Sequence, residues 1–265
     1  LTRDAAEDVF RTVATEALPA QVLLGKQHFY DAADTRLALQ NYISCAACHN
    51  DGGHDGRVWD LTGFGEGLRN TITLRGHGQH GALHWTGNFD EVHDFEGQIR
   101  GLAGGTGLMT DAQFNTGTRN LPLGDPKAGV SADLDALAAY VTSLTSESKS
   151  PHRASNGALT AQGAEGEKVF RRENCASCHA GENFTNSALG VFRDVGTLKP
   201  SSGQRLGAAL TGLDVPTLRG VWATAPYLHD GSAPTLAAAV SAHSGVTLSV
   251  ADMDALVSYL NQIDD

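Results

Sequence analysis

Two pentapeptides constrain this chain more than anything else in it: Cys45-Ala46-Ala47-Cys48-His49 and Cys175-Ala176-Ser177-Cys178-His179. Two thiols three positions apart lie on one turn of backbone and suit addition to the two vinyl groups of a porphyrin. The histidine that follows then offers its imidazole to the iron. The same cysteine spacing also serves zinc sites and thioredoxin-like redox pairs, but neither needs a histidine directly after the second cysteine. Here it stands there both times, and the two motifs use all four cysteines. The expectation is two covalently bound haem c groups, attached at Cys45, Cys48, Cys175 and Cys178, with His49 and His179 as iron ligands.

The chain repeats around these motifs. Gly25-Lys26-Gln27-His28-Phe29 precedes the first as Gly166-Glu167-Lys168-Val169-Phe170 precedes the second, and Asp133–Val141 returns as Asp252–Leu260. Thr73-Leu74-Arg75-Gly76 and Thr217-Leu218-Arg219-Gly220 are each followed, twelve positions after the threonine, by Trp85-Thr86-Gly87 and His229-Asp230-Gly231. Such self-similarity marks a duplicated unit. The expected architecture is mainly α, with two cytochrome c-like haem domains and long loops: residues 1–148 with the open-site haem and 149–265 with the electron-transfer haem. The polar stretch 145–160 has linker composition. Apolar spacing over 4–30 predicts two helices broken at Pro19, Ser131 is an expected N-cap, and the Gly- and Asp-rich stretch 50–125 reads as loops with short helical pieces. Gly76–Gly81 fits G-x-G-x-x-G by letter, but no strand pattern precedes it, so a dinucleotide site is rejected.

A formal charge of −11 disfavours nucleic acid as a partner. No apolar run approaches the ~18 residues of a membrane span. Leu1 begins without a signal-like segment, so a mature or trimmed form is expected. Because haem c is attached outside the cytoplasm, the expected location is periplasmic or extracellular.

Val215-Pro216-Thr217-Leu218-Arg219-Gly220 and Ala225-Pro226-Tyr227-Leu228-His229-Asp230-Gly231 resemble the motifs of the bacterial di-haem cytochrome c peroxidases and the related MauG-type enzymes, over roughly residues 20–262. The resemblance implies that peroxide or oxygen reacts at the first haem, that the second relays electrons, and that a calcium ion lies between the domains. The family's second ligand to the relay haem, usually methionine and tyrosine in the MauG type, falls fourteen positions after the H-D-G histidine, on His243. A second haem held by His179 and His243 has no open position. The same offset from Trp85 lands on Ile99, and the peroxidases' distal histidine falls on Gly65; neither residue can ligate. Trp85 occupies the place of the family's tryptophan between the haems. Asn70, Thr224 and Pro226 match its calcium ligands, and oxygen donors suit that ion.

The family's catalytic glutamate falls within residues 101–108, which hold no carboxylate. Moving a proton between peroxide oxygens needs such a group, and the nearby candidates are Glu96, His93 and Gln98. His77, His80, His84 and Met109 are further candidates to close the first haem. The leading reading is a peroxidase-like redox enzyme acting on hydrogen peroxide or O2, supplied by a small electron-donor protein or a partner domain. A di-haem electron-transfer module without catalysis is the alternative. An oxygenase related to the rubber-cleaving di-haem enzymes is a third reading.

Overall fold

Pro19 has no amide hydrogen to donate and stands at the N-cap of the first described helix, α1 (Ala20–Tyr30), in a computed structural model of the chain. The structure describes residues 15–76 and 81–264, so the earlier of the two helices expected over 4–30 lies largely outside the described residues. After α1 come α2 (Cys45–Cys48), α3 (Phe95–Gly101), α4 (Asp111–Phe114), α5 (Ala132–Ser143), α6 (Ala161–Arg172), α7 (Leu236–Ser241) and α8 (Val250–Leu260). The molecule is mainly helical, as expected. Ser131, Thr160, Thr235 and Ser249 each cap a helix by accepting the amide of the residue three further on, which satisfies one of the orphan donors of a helix start.

The sequence repeat becomes a repeat of packing. Helix α1 crosses α5, and α6 crosses α8 in the same way. Each crossing is as close as a glycine permits: a Cβ on Gly25 would stand 1.8 Å from the Ala136 carbonyl oxygen, and one on Gly166 1.9 Å from that of Ala255. Beside each glycine an aromatic pair locks the crossing edge-to-face, Phe29 on Tyr140 at 5.1 Å and Phe170 on Tyr259 at 5.5 Å. Two separate apolar cores form around these crossings. Leu134, Leu137, Ile99, Leu108 and Met109 belong to the first, and Val169, Val221, Leu236, Leu256 and Leu260 to the second. Cys45 packs against the first core and Cys175 against the second.

The stretch 50–125 contains a feature that the loop reading missed. Val58–Asp60 (β1) pairs antiparallel with Leu68–Asn70 (β2), and a second small pair joins Gln204–Arg205 (β3) to Ala208–Ala209 (β4). Strands this short carry too little alternation to register in a sequence window. The segment 145–160 is also less free than its composition suggests. The Ser150 amide donates to Asp264 at 2.8 Å, Arg153 pairs with Asp264, and Thr160 and Gln262 exchange two hydrogen bonds. Among the described residues no helix is long and apolar enough to cross a membrane.

Candidate haem sites

Each attachment motif lies where its half's core meets solvent. Cys45 and Cys48 sit on the single turn α2, Cys175 and Cys178 on a 3-10 turn, and all four sulfurs are free. Burial pushes the Cys45 thiol up to about 11 and also raises Cys175. Among the described residues no three Cys, His, Asp or Glu side chains converge as a zinc site would require.

The two proximal histidines are held alike. His49 Nδ1 meets the Gly53 carbonyl at 3.2 Å. His179 Nδ1 meets the carbonyls of Pro216 at 3.1 Å and Phe184 at 3.3 Å. A carbonyl oxygen only accepts, so Nδ1 carries the ring proton in both and Nε2 keeps its lone pair, the form that ligates iron. Burial lowers His49, and lowers His179 to about 4, so both rings are neutral donors. With two thiols and an Nε2 lone pair on each motif, the residues present fit haem c.

Near each proximal ring stands a second histidine. The His243 imidazole is, after burial, the next cause that lowers His179, and its own Nδ1 meets the Ala239 carbonyl at 2.9 Å, which again leaves Nε2 as the open nitrogen. His84 is among the groups that lower His49. Its ring packs on Phe89 and Phe95, with centroids at 4.4 and 5.1 Å, and burial lowers it to about 4. His84 Nδ1 meets Asn88 Oδ1 at 2.7 Å, Asn88 Nδ2 donates to Glu66 Oε1 at 2.7 Å, and Gln98 Nε2 lies 3.4 Å from His84 Nε2. Of the loop histidines, His84 is thus brought to the first site; His77 and His80 lie outside the described residues.

The other candidates are occupied elsewhere. Glu96 is fully buried, its oxygens accepting from Arg100 at 2.8 Å and from the Leu108 and Met109 amides at 2.9 and 3.1 Å. It staples the loop after α3. His93 bonds Asp135 at 3.0 Å on α5. Met109 and Ile99 are core residues, and Gly65 ends a turn at φ 81°. Gln98, by contrast, reaches His84. Glu66 and Asn88 went unremarked in the sequence: a lone carboxylate and a lone amide in a glycine-rich loop carry no pattern of their own.

Between the two sites runs a seam of main-chain bonds. The Asn70 amide donates to the His229 carbonyl at 2.6 Å, the Asp214 amide to Trp85 at 2.8 Å, and Arg205 to the carbonyls of Thr86 and Gly87. Trp85 Nε1 donates to the Asn70 carbonyl at 2.8 Å, and its ring lies edge-on to His229 at 6.4 Å. His229 bonds Ser202 through Nε2 at 2.7 Å. Asn70 Nδ2 donates to the carbonyls of Pro226 at 2.5 Å and Leu228 at 3.2 Å, while its Oδ1 is buried without a hydrogen-bond partner. Thr224 bonds Val221 within its own turn.

Comparison with known proteins follows the same division. Residues 19–121 match the family described as di-haem cytochrome c peroxidase, and residues 212–245 match one described as RoxA-like, cytochrome c-like. Among curated proteins the chain is 29% identical to hydrazine synthase subunit gamma of Kuenenia stuttgartiensis, over 91% of this chain and 73% of that one. It is 27% identical to cytochrome c551 peroxidase of Nitrosomonas europaea, over 85% and 73%. A solved structure of the Kuenenia stuttgartiensis hydrazine synthase superposes with a TM-score of 0.64 at 22% identity, covering 98% of this chain and 100% of that one, which establishes a common fold. With two haem-attachment motifs, each backed by an anchored histidine, and these relatives, the chain belongs to the di-haem cytochrome c peroxidase and MauG family and is a peroxidase-like di-haem oxidoreductase with two haem c groups.

Proposed function

We propose that the chain activates hydrogen peroxide, or O2, at the haem of Cys45, Cys48 and His49, and that the haem of Cys175, Cys178 and His179 relays the electrons. The observation that carries this is the difference between the two distal histidines. His243 offers an Nε2 that no donor engages among the described residues, and would serve with His179 as the second ligand that holds the second haem. His84 Nε2 is approached by the Gln98 amide, so its lone pair is already shared and the first haem keeps an open face. The bound haem supplies the iron at which the oxidant is reduced; the protein holds the proximal ring through Gly53 and walls the open face with Phe89, Phe95 and Gln98.

Trp85 is the electron relay in this reading, because it joins Asn70 of one half to Asp214 of the other. Residues 1–148 and 149–265 are the corresponding cytochrome c-like domains, and a small one-electron donor protein or partner domain supplies the second. The chemistry of haem attachment places the protein in the periplasm or outside the cell.

Calcium at the seam is part of the same proposal. The Asn70 side-chain oxygen and the carbonyls of Thr224 and Pro226 are neutral hard donors, and the unpartnered Asn70 Oδ1 suits an ion. An ion there requires the amide to turn, so that Oδ1 rather than Nδ2 faces Pro226.

Low-temperature EPR of the oxidised protein tests the whole reading: one high-spin and one low-spin ferric signal, with the high-spin signal lost on adding peroxide. The non-catalytic electron-transfer reading is favoured by one observation, the nearness of His84 to His49. Two low-spin signals that peroxide leaves untouched would establish it instead.

A further inference from the structure

Resting on the reading that the first haem is the reactive one, we propose that His84 is the proton-transferring residue of its open face, taking the place of the missing family carboxylate, and that Asn88 and Glu66 are the positioning residues that set its tautomer.

Donor and acceptor chemistry along the network fixes each assignment in turn. Asn88 Nδ2 donates to Glu66 Oε1 at 2.7 Å, as a carboxylate oxygen accepts. That turns Asn88 Oδ1, an acceptor, toward His84 at 2.7 Å and puts the ring proton on Nδ1. Nε2 is left with its lone pair, into which the Gln98 amide donates weakly at 3.4 Å. Glu66 is itself held, its Oε2 accepting from Arg69 and from the Thr86 hydroxyl, both at 3.1 Å. The ring cannot swing, since Phe89 and Phe95 pack against it. His84 also holds an unusual backbone, φ 66°, a strained conformation for histidine that this set of contacts maintains.

A distal ligand and a proton carrier ask different things of Nε2. A ligand needs the lone pair for the iron alone, the situation of His243. A carrier needs a lone pair that a neutral donor orients and that a substrate hydroxyl can displace, the situation of His84. On the outer side of the network lies a cavity of about 280 Å³, lined by Glu66, Asn88, Phe89, Gln98, Lys127 and Leu206 among others. It gives a molecule the size of hydrogen peroxide a polar approach to Glu66, Asn88 and Gln98, the side chains hydrogen-bonded around His84, which does not itself line it.

The proton accounting closes. Nε2 takes the proton of one peroxide oxygen. The ring becomes positive with Nδ1–H still bonded to Asn88, and Glu66 balances that charge through the amide. Arg69 opposes the charged ring and Asp94 favours it. Nε2 then returns the proton to the other oxygen as the O–O bond breaks, and that oxygen leaves as water; two electrons, and two protons from solvent, convert the remaining oxygen to a second water. The two electrons taken up come from the haem pair, which the one-electron donor protein refills.

The test uses the holoprotein and two variants, His84→Asn, whose residue tolerates positive φ, and Glu66→Gln, with covalent haem content and melting temperature checked first. Ferric EPR and the single-turnover rate of reaction with peroxide across pH are the readouts. The expected result is an unchanged high-spin signal in all three proteins, a rate about 100-fold or more lower in His84→Asn, and in Glu66→Gln a smaller loss with a displaced pH midpoint. A wild-type rate in His84→Asn, with the high-spin signal intact, overturns the role of His84 and leaves the enzyme reading standing. A low-spin first haem in the wild type that becomes high-spin in His84→Asn shows His84 to be an iron ligand and overturns the proposal. Two low-spin signals unmoved by peroxide in every protein overturn the enzyme reading as well.

Discussion

His243 carries a consequence that a single substitution can expose. Imidazole stabilises ferric haem more than a thioether does, so a haem held by His179 and His243 sits at lower potential than one held by histidine and methionine. His243→Met is expected to raise the potential of the second haem alone, and His243→Ala to turn its ferric signal high-spin; potentiometric titration with EPR checks both. Asp214 shows the opposite use of a buried side chain. Its Oδ2 accepts from Ser187 at 2.5 Å, its Oδ1 is buried without a hydrogen-bond partner, and burial pushes its carboxyl up to about 6. A carboxyl that holds its proton more tightly when folded favours the fold below the unfolded value near 3.8 and withdraws that support as the pH climbs through about 6. Asp214→Asn should therefore raise stability at pH 7.5 by on the order of 1 kcal/mol, after allowance for partial solvation, and change little at pH 4. Thermal melts at the two pH values measure it.

Among the elements, the two helix crossings decide whether each half can close. At Gly25 and Gly166 there is no room for even a methyl group, and the obstacle in each case is backbone rather than a side chain able to move. Gly25→Ala and Gly166→Ala are each expected to cost about 1–3 kcal/mol or more, the toll of forcing extra volume into a packed crossing. Gly63→Ala, where a Cβ meets nothing within 4 Å, is the control. Absorption spectra should show the first haem disturbed by the Gly25 change and the second by the Gly166 change. The helices of these crossings were legible in the sequence because what they need is local, a repeated segment, a capping serine, an apolar stripe, but their approach at the glycines was not. The attachment motifs were legible for a similar reason, since five consecutive residues carry their chemistry. Glu66, Asn88 and His84 were not legible as a unit. Their meaning arises only when the loop after β2 folds back, and neither histidine-to-amide nor amide-to-carboxylate contact has a periodicity to detect. Glu96 misled for a related reason: a carboxylate near the right place in sequence was claimed by two backbone amides and an arginine in space.

For the molecule as a whole, the seam couples two cores that are otherwise separate. Trp85→Phe removes the indole N–H that Asn70 accepts and is expected to slow electron transfer between the haems while leaving both ferric EPR signals in place; pulse-reduction kinetics reads the rate. Calcium provides a second whole-molecule prediction. An ion bound only by the folded protein adds about 2.7 kcal/mol at one hundred times its dissociation constant. Chelation should lower the melting temperature, and Asn70→Leu should abolish the dependence on calcium. Contacts such as Arg69 to Ser202 and Asn70 to Leu228 join residues far apart in the chain, so no window of sequence contains them.

The fastening of residues 150–160 to the turn at 261–264 sets the topology of the second half. Ser150 and Arg153 on Asp264, and Thr160 on Gln262, bring the start and the end of that half together. In topological terms it is a loop of chain closed by a clasp between residues 150–160 and 261–264. Cleavage of the chain at Gly207, an exposed glycine between β3 and β4 with nothing within 4 Å of an added Cβ, is expected to leave the two pieces associated through the clasp and the second core, as gel filtration after nicking would show. The second half is built so that its chain can be opened far from its attachment motif.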